Sequence, residues 1–108
     1  MITFGAGLSS PFFMNLAEFK QLQTPESTWD ACLLSLWYDY QGNWDEAHSL
    51  VDHLQDLESA RVHAYLHRKE GDNWNANYWY RKANQIMPKA TLDEEWEHLA
   101  EYFLSKRS

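Results

Sequence analysis

Apolar residues recur along this chain at the three-and-four spacing of amphipathic helices, and no stretch alternates as a strand would. Phe12, Phe13, Leu16, Phe19 and Leu22 line one face of a first predicted helix, opened by Ser10-Pro11, a capping residue followed by one that needs no N–H partner. Thr24-Pro25 repeats that start signal for a helix through Trp29, Leu33, Leu36, Trp37 and Tyr40, stopped at Gly42. Asn43 with Glu46 three positions on opens a third, carrying Ala47, Leu50, Val51 and Leu54 on one face. A fourth is expected from about Leu57 to Glu70, with Gly71 as its stop. Asp72 or Asn73 caps a fifth through Ala76, Trp79, Tyr80 and Ala83, which should end just before Pro88. Thr91 and Glu94 form a capping box for a last helix through Trp96, Leu99, Ala100, Phe103 and Leu104. Its acidic first turn and its basic end at Lys106 and Arg107 both suit the helix dipole. Met1 to Ser9, small and flexible residues, are expected to be loosely ordered.

Six helices with short links predict an all-α fold of antiparallel helical hairpins, stacked as a short right-handed array in a single domain over residues 1–108. Composition supports a packed core: 44% of the 108 residues are hydrophobic, and six Trp and six Tyr bring large buried areas. The formal charge of −7 argues against a phosphate-binding surface, so no nucleic-acid partner is expected. Cys32, the one cysteine, lies in the apolar run Ala31-Cys32-Leu33-Leu34 and reads as a small buried hydrophobe. The chain opens without a basic residue before Lys20 and has no apolar run of membrane-spanning length, which predicts a cytoplasmic protein with no membrane partner.

An internal repeat is also present. Gly42-Asn43-Trp44-Asp45-Glu46-Ala47 aligns with Gly71-Asp72-Asn73-Trp74-Asn75-Ala76, and around it Leu36, Trp37, Leu50 and Val51 match Tyr65, Leu66, Trp79 and Tyr80. Each unit reads as helix, glycine turn, helix. The stretch His67-Arg68-Lys69-Glu70-Gly71-Asp72, followed by Ala76, Tyr80, Ala83 and Pro88, resembles the second half of a tetratricopeptide repeat (TPR). Ala76-x-x-Trp79-Tyr80-x-Lys82-Ala83 is similar to the Sel-one-like relative of that family. The resemblance covers roughly Trp29 to Pro88. It implies stacked hairpins that scaffold a protein or peptide partner, and it implies no chemistry. With two units, fewer than the three or more a stack usually needs, the first and last helices are expected to cover the ends as caps.

By residue-by-residue transfer, the resemblance places a partner-binding groove at Trp29, Leu36, Asp39 and Tyr40 in the first unit, and at Arg61, Tyr65, Arg68 and Lys69 in the second. The second set is basic and aromatic within an acidic protein, which suits an acidic peptide or a terminal carboxylate. Exposed aromatics on an end helix would let the chain form a homodimer. An interaction or adaptor module is therefore the leading expectation from sequence. The alternative is a small-molecule or metal-binding protein, with chemistry open to it, centred on His63, His67 and Glu70. His63 and His67 lie four apart on one helical face that Glu70 continues. Two histidines do not complete a metal site, and the sequence places no third ligand. His48, His53 and His98 are scattered and read as solvated or edge residues, although His48 shares a face with Asp52. Trp79 and Tyr80 read as core, and so, less strongly patterned, do Trp74 and Tyr78, for which a contact surface is the alternative. The chain has no Gly-rich phosphate loop, nucleophile elbow or paired-Cys motif, so no catalytic residue and no cofactor is expected.

Overall fold

The computed structural model describes residues 14–106, and within them the fold is all-helical, with no strand. The helices are α1 (Leu16–Gln21), α2 (Ala31–Tyr40), α3 (Trp44–Val51), α4 (Leu57–Lys69), α5 (Asn73–Lys82) and α6 (Leu92–Ser105). The Ser10-Pro11 start and the Met1–Ser9 segment lie outside the described residues.

Short polar side chains set the helix starts. Asn15 and Glu18 form a reciprocal capping box on α1, and Thr91 and Glu94 form the expected one on α6. Asp30, Asn43, Asp56 and Asp72 each accept a hydrogen bond from the backbone N–H three residues on. The second helix therefore begins at Ala31, six residues after Pro25, because Asp30 supplies the cap that Thr24 was expected to supply.

Three of the stops share one device. In α2, Gly42 N–H bonds to Asp39 O and Asn43 N–H to Tyr38 O. In α4, Gly71 bonds to Arg68 O and Asp72 to His67 O. This is a Schellman motif, which needs a left-handed residue; Gly42 and Gly71 take φ of 86° and 88° there. In α5 the pattern recurs with Asn84 at φ 58°, whose N–H meets Arg81 O while Gln85 N–H meets Tyr80 O. Asparagine tolerates that conformation, so α5 ends at Lys82, before Pro88 as expected.

Helices α2 and α3 pack as one hairpin and α4 and α5 as another, and α3 joins the two. Ala47 and Ala76, each fully buried, sit at equivalent points of the two hairpins. Helix α6 packs on α2 and α4, with α1 beside it, and not along α5. Helix α4 is the central element, with Val62, His63, Ala64, Tyr65, Leu66 and His67 all buried. Phe19 of α1, fully buried, lies between Trp29 (ring centroids 5.2 Å) and Trp96 of α6 (5.9 Å).

A buried carboxylate fixes where α6 lies. Glu95, 1% exposed, accepts from Arg61 at 2.5 Å, Arg68 at 2.6 Å and the Tyr80 hydroxyl at 2.5 Å. A second guanidinium nitrogen of Arg68 donates to Ala90 O. Removing one partner of a buried ion pair strands the others, at a cost of about 3–5 kcal/mol. Glu95→Ala is therefore expected to lower unfolding free energy by about that amount in urea titration. Cys32 is buried against Ser59, and burial pushes its thiol up to about 12. The native protein should resist a thiol reagent at pH 8 and react fully once unfolded; rapid native labelling would contradict this burial.

Candidate functional site

Helix α4 presents two opposed faces. At about 100° per residue, Arg61, Tyr65 and Arg68 fall on one side, and His63, His67 and Glu70 on the other. The first side carries the groove residues expected from sequence, and each is engaged within the chain. Arg61 and Arg68 meet Glu95. Tyr65 O–H and Lys69 Nζ donate to the two carboxylate oxygens of Asp39, itself buried, at 2.8 and 2.9 Å. Tyr40, half-exposed, lies with its ring centroid 4.9 Å from that of Trp96. Trp29 and Leu36 are core. The basic patch does hold an acidic segment, and that segment is the first turn of α6, with Asp93, Glu94 and Glu95. What stays open on this side is a recess of about 360 Å³ bordered by Lys20, Tyr40, Lys69 and Trp96.

On the other side, the structure adds a third histidine. His48 of α3 brings its Nε2 to 3.0 Å from Nε2 of His63. The rings of His48, His63 and His67 form a triangle, with centroid separations of 4.7, 4.8 and 5.1 Å. One ligand atom from each lies within 4.8 Å of the others. His63 is 3% exposed and His67 9%, while the His48 side chain keeps 24% of its surface.

Two tryptophans bracket the cluster. Trp44 opens α3 and donates its indole N–H to Leu66 O at 2.8 Å, which ties it to α4. Held there, its ring stacks on His48 at 4.7 Å and meets His67 edge-on at 6.1 Å. Trp79 of α5 stacks on His63 at 4.0 Å. Trp79 is half-buried, and Tyr80 is core. Trp74 and Tyr78, 76% and 40% exposed, stack on each other at the surface beside Trp79.

Carboxylates stand behind two of the three imidazoles. Glu70 Oε2 accepts from Nδ1 of His67 at 2.7 Å, so Nδ1 of that ring carries a proton. Asp52 Oδ2 lies 3.7 Å from Nδ1 of His48. His63 has no such support: its Nδ1 is buried without a hydrogen-bond partner. Burial, followed by the charges of its two neighbours, lowers the His63 pKa to about 4; burial, then His67, lowers that of His48. Both therefore favour the neutral form, which is the ligating and proton-accepting form of imidazole. His53 is exposed and meets only the adjacent Asp52, and His98 lies by a separate recess of about 450 Å³ lined by Leu99, Tyr102 and Phe103. Neither recess borders a cluster histidine.

The structure brings His63 and His67 together, as their spacing predicts, and adds His48, Trp44 and Asp52 beside them. His48 lies fifteen positions before His63 on another helix, so no spacing rule joins them. The available signal is Ala47, the small residue where helices approach closely; its carbonyl accepts from Ser35 Oγ at 2.8 Å, and the next side chain turns toward the neighbouring helix. Among the described residues no helix is long and apolar enough to cross a membrane. Comparison with protein-family models, curated proteins and solved structures finds no match for this chain.

Proposed function

We propose that this chain is a small ligand-binding protein whose site is the histidine cluster at the junction of α3, α4 and α5. The observation that carries the reading is the convergence of His48, His63 and His67, with the buried Nδ1 of His63 left without a partner. Folding alone has no need of such a group. Three apolar side chains would fill the same space without desolvating imidazole nitrogens, and an unpaired buried polar atom costs about 1–3 kcal/mol. Cost of that kind concentrates where a protein binds something. Trp44 and Trp79 give the cluster rigid aromatic walls, and the partial exposure of His48 gives it access.

The opposite face of α4 is less suited to a partner. An acidic peptide could reach Arg61 and Arg68 only by displacing Glu95. A second reading, an interaction module that pairs with another protein or with its own copy, is supported by the exposed aromatics Trp74 and Tyr78 on α5.

Two measurements separate these readings. In the ligand-free protein, His63→Leu is expected to leave unfolding free energy unchanged, or to raise it by up to about 2 kcal/mol, because it removes an unpaired buried nitrogen. A structural role for the cluster predicts the reverse, a loss of about 2 kcal/mol or more from the broken His48 bond and the lost stack on Trp79. For the second reading, light scattering on a concentrated sample is expected to show a dimer that Trp74→Ser returns to monomer. A monomer throughout removes self-association.

A further inference from the structure

We propose that His48, His63 and His67 form a three-imidazole site for a divalent first-row transition metal of the zinc class. The inference rests on the ligand-site reading above and names its ligand. Three observations lead to a metal rather than an organic molecule.

The first is space. The imidazoles already touch: His63 stacks on Trp79 at 4.0 Å and His48 on Trp44 at 4.7 Å, and the three ring centroids are about one ring-width apart. The two surface recesses border other residues. Rings packed this closely admit an ion between their nitrogens and not an organic molecule.

The second is donor chemistry. The inner set is three nitrogens, with neither thiolate nor carboxylate. Calcium and magnesium take oxygen ligands, and iron–sulfur clusters take thiolates; imidazole suits zinc, copper and nickel. The Nε2 atoms of His48 and His63, 3.0 Å apart, are close to the roughly 3.3 Å that two nitrogens span when each binds one tetrahedral zinc at about 2.0–2.1 Å. Small ring rotations bring the third nitrogen in from within 4.8 Å. For one metal to bind both Nε2 atoms, each ring must carry its proton on Nδ1, which for His48 faces Asp52, so the proton held between the two Nε2 atoms moves to Nδ1 as the ion enters.

The third is orientation. The hydrogen bond from His67 Nδ1 to Glu70 commits that nitrogen and leaves Nε2 as the atom with which the ring would ligate, and Asp52 stands behind Nδ1 of His48. A carboxylate behind a ligating imidazole is the usual arrangement around protein-bound zinc. A second acidic grouping, His67 with Glu70 and Asp72, is less able to ligate. Both carboxylate oxygens of Asp72 are already committed, to the backbone N–H and the side-chain amide of Asn75. Three protein ligands leave at least one coordination position for water or a small anion, the pattern of an open rather than a closed metal site.

The site also spans the join between hairpins, since His48 belongs to α3 while His63 and His67 belong to α4. A bound ion would cross-link the two hairpins at a point where otherwise only one histidine pair meets.

The test uses the full chain without a polyhistidine tag, stripped with chelator and titrated calorimetrically with zinc; cobalt(II) serves as an optical probe. One zinc per chain is expected, with a rise in Tm on the order of 10 °C at a hundredfold excess over Kd. Cobalt should give the intense visible bands of a four-coordinate nitrogen-rich site. His48→Gln and His67→Gln should each weaken zinc at least ~100-fold, and Glu70→Gln about 10–100-fold, while His53→Gln should bind as the parent does. His48 is partly exposed, so its variant should fold, and circular dichroism checks this. The cobalt spectrum of the unmutated chain tests the site even where a variant unfolds. Absence of one-to-one binding, or zinc affinity indifferent to His48 and His67, overturns the proposal. If zinc fails while His63→Leu stabilises the free protein, the ligand-site reading stands and the metal assignment falls. If His63→Leu destabilises the free protein and zinc also fails, both fall.

Discussion

A carboxylate without water needs positive partners, and the placement of Glu95 follows from that requirement. Its oxygens draw Arg61 and Arg68 from α4 and the hydroxyl of Tyr80 from α5, so one side chain fixes the last helix against the second hairpin. The adjacent residue, Trp96, then seats its indole N–H on Leu36 O of α2 at 3.0 Å and stacks near Phe19, which places the first hairpin and α1 in turn. Desolvating such a group is expensive, and the arrangement holds only because every oxygen is met. The pairs also use up the charged face of α4. The opposite face carries the histidine cluster, where His48 meets His63 while Glu70 and Asp52 stand behind His67 and His48.

The two faces of α4 thus differ in how fully their polar groups are satisfied. Toward α6, guanidinium, carboxylate, phenol and ammonium groups are matched almost atom for atom, Asp39 with Tyr65 and Lys69 repeating the logic of Glu95. Toward α3 and α5, one imidazole nitrogen has no partner and the shared bond joins two like groups. Low dielectric strengthens a complete network and penalises an incomplete one. The incomplete side is the one that carries the histidine cluster.

Much of the fold was legible because its punctuation is local. Gly42, Gly71, Thr91 with Glu94, and the cap at Asp72 act through bonds to residues three or four positions away, so a linear reading finds them. An error arose where two local signals competed: Thr24-Pro25 looks like a start, yet Asp30 caps α2. The path of α6 was not legible, since it depends on Glu95 finding two arginines 34 and 27 positions earlier. The groove residues were identified as one set, but their partners came from within the chain. The histidine site was half visible for the same reason. His63, His67 and Glu70 share one helix and its spacing, whereas His48 joins them only through the packing of α3 on α4 and the tie of Trp44 to Leu66 O.

The dependence on Glu95 also bears on the order in which the chain becomes competent during synthesis. Both arginines, the buried Asp39 and the aromatic face of α2 precede residue 95 in the chain. Until Glu95 docks, the two hairpins display a basic, aromatic surface whose complement is encoded downstream. Such late, non-local closure slows folding and leaves an interval in which the growing chain is sticky. The emergence of a single acidic turn ends that interval, converting an adhesive intermediate into a closed protein.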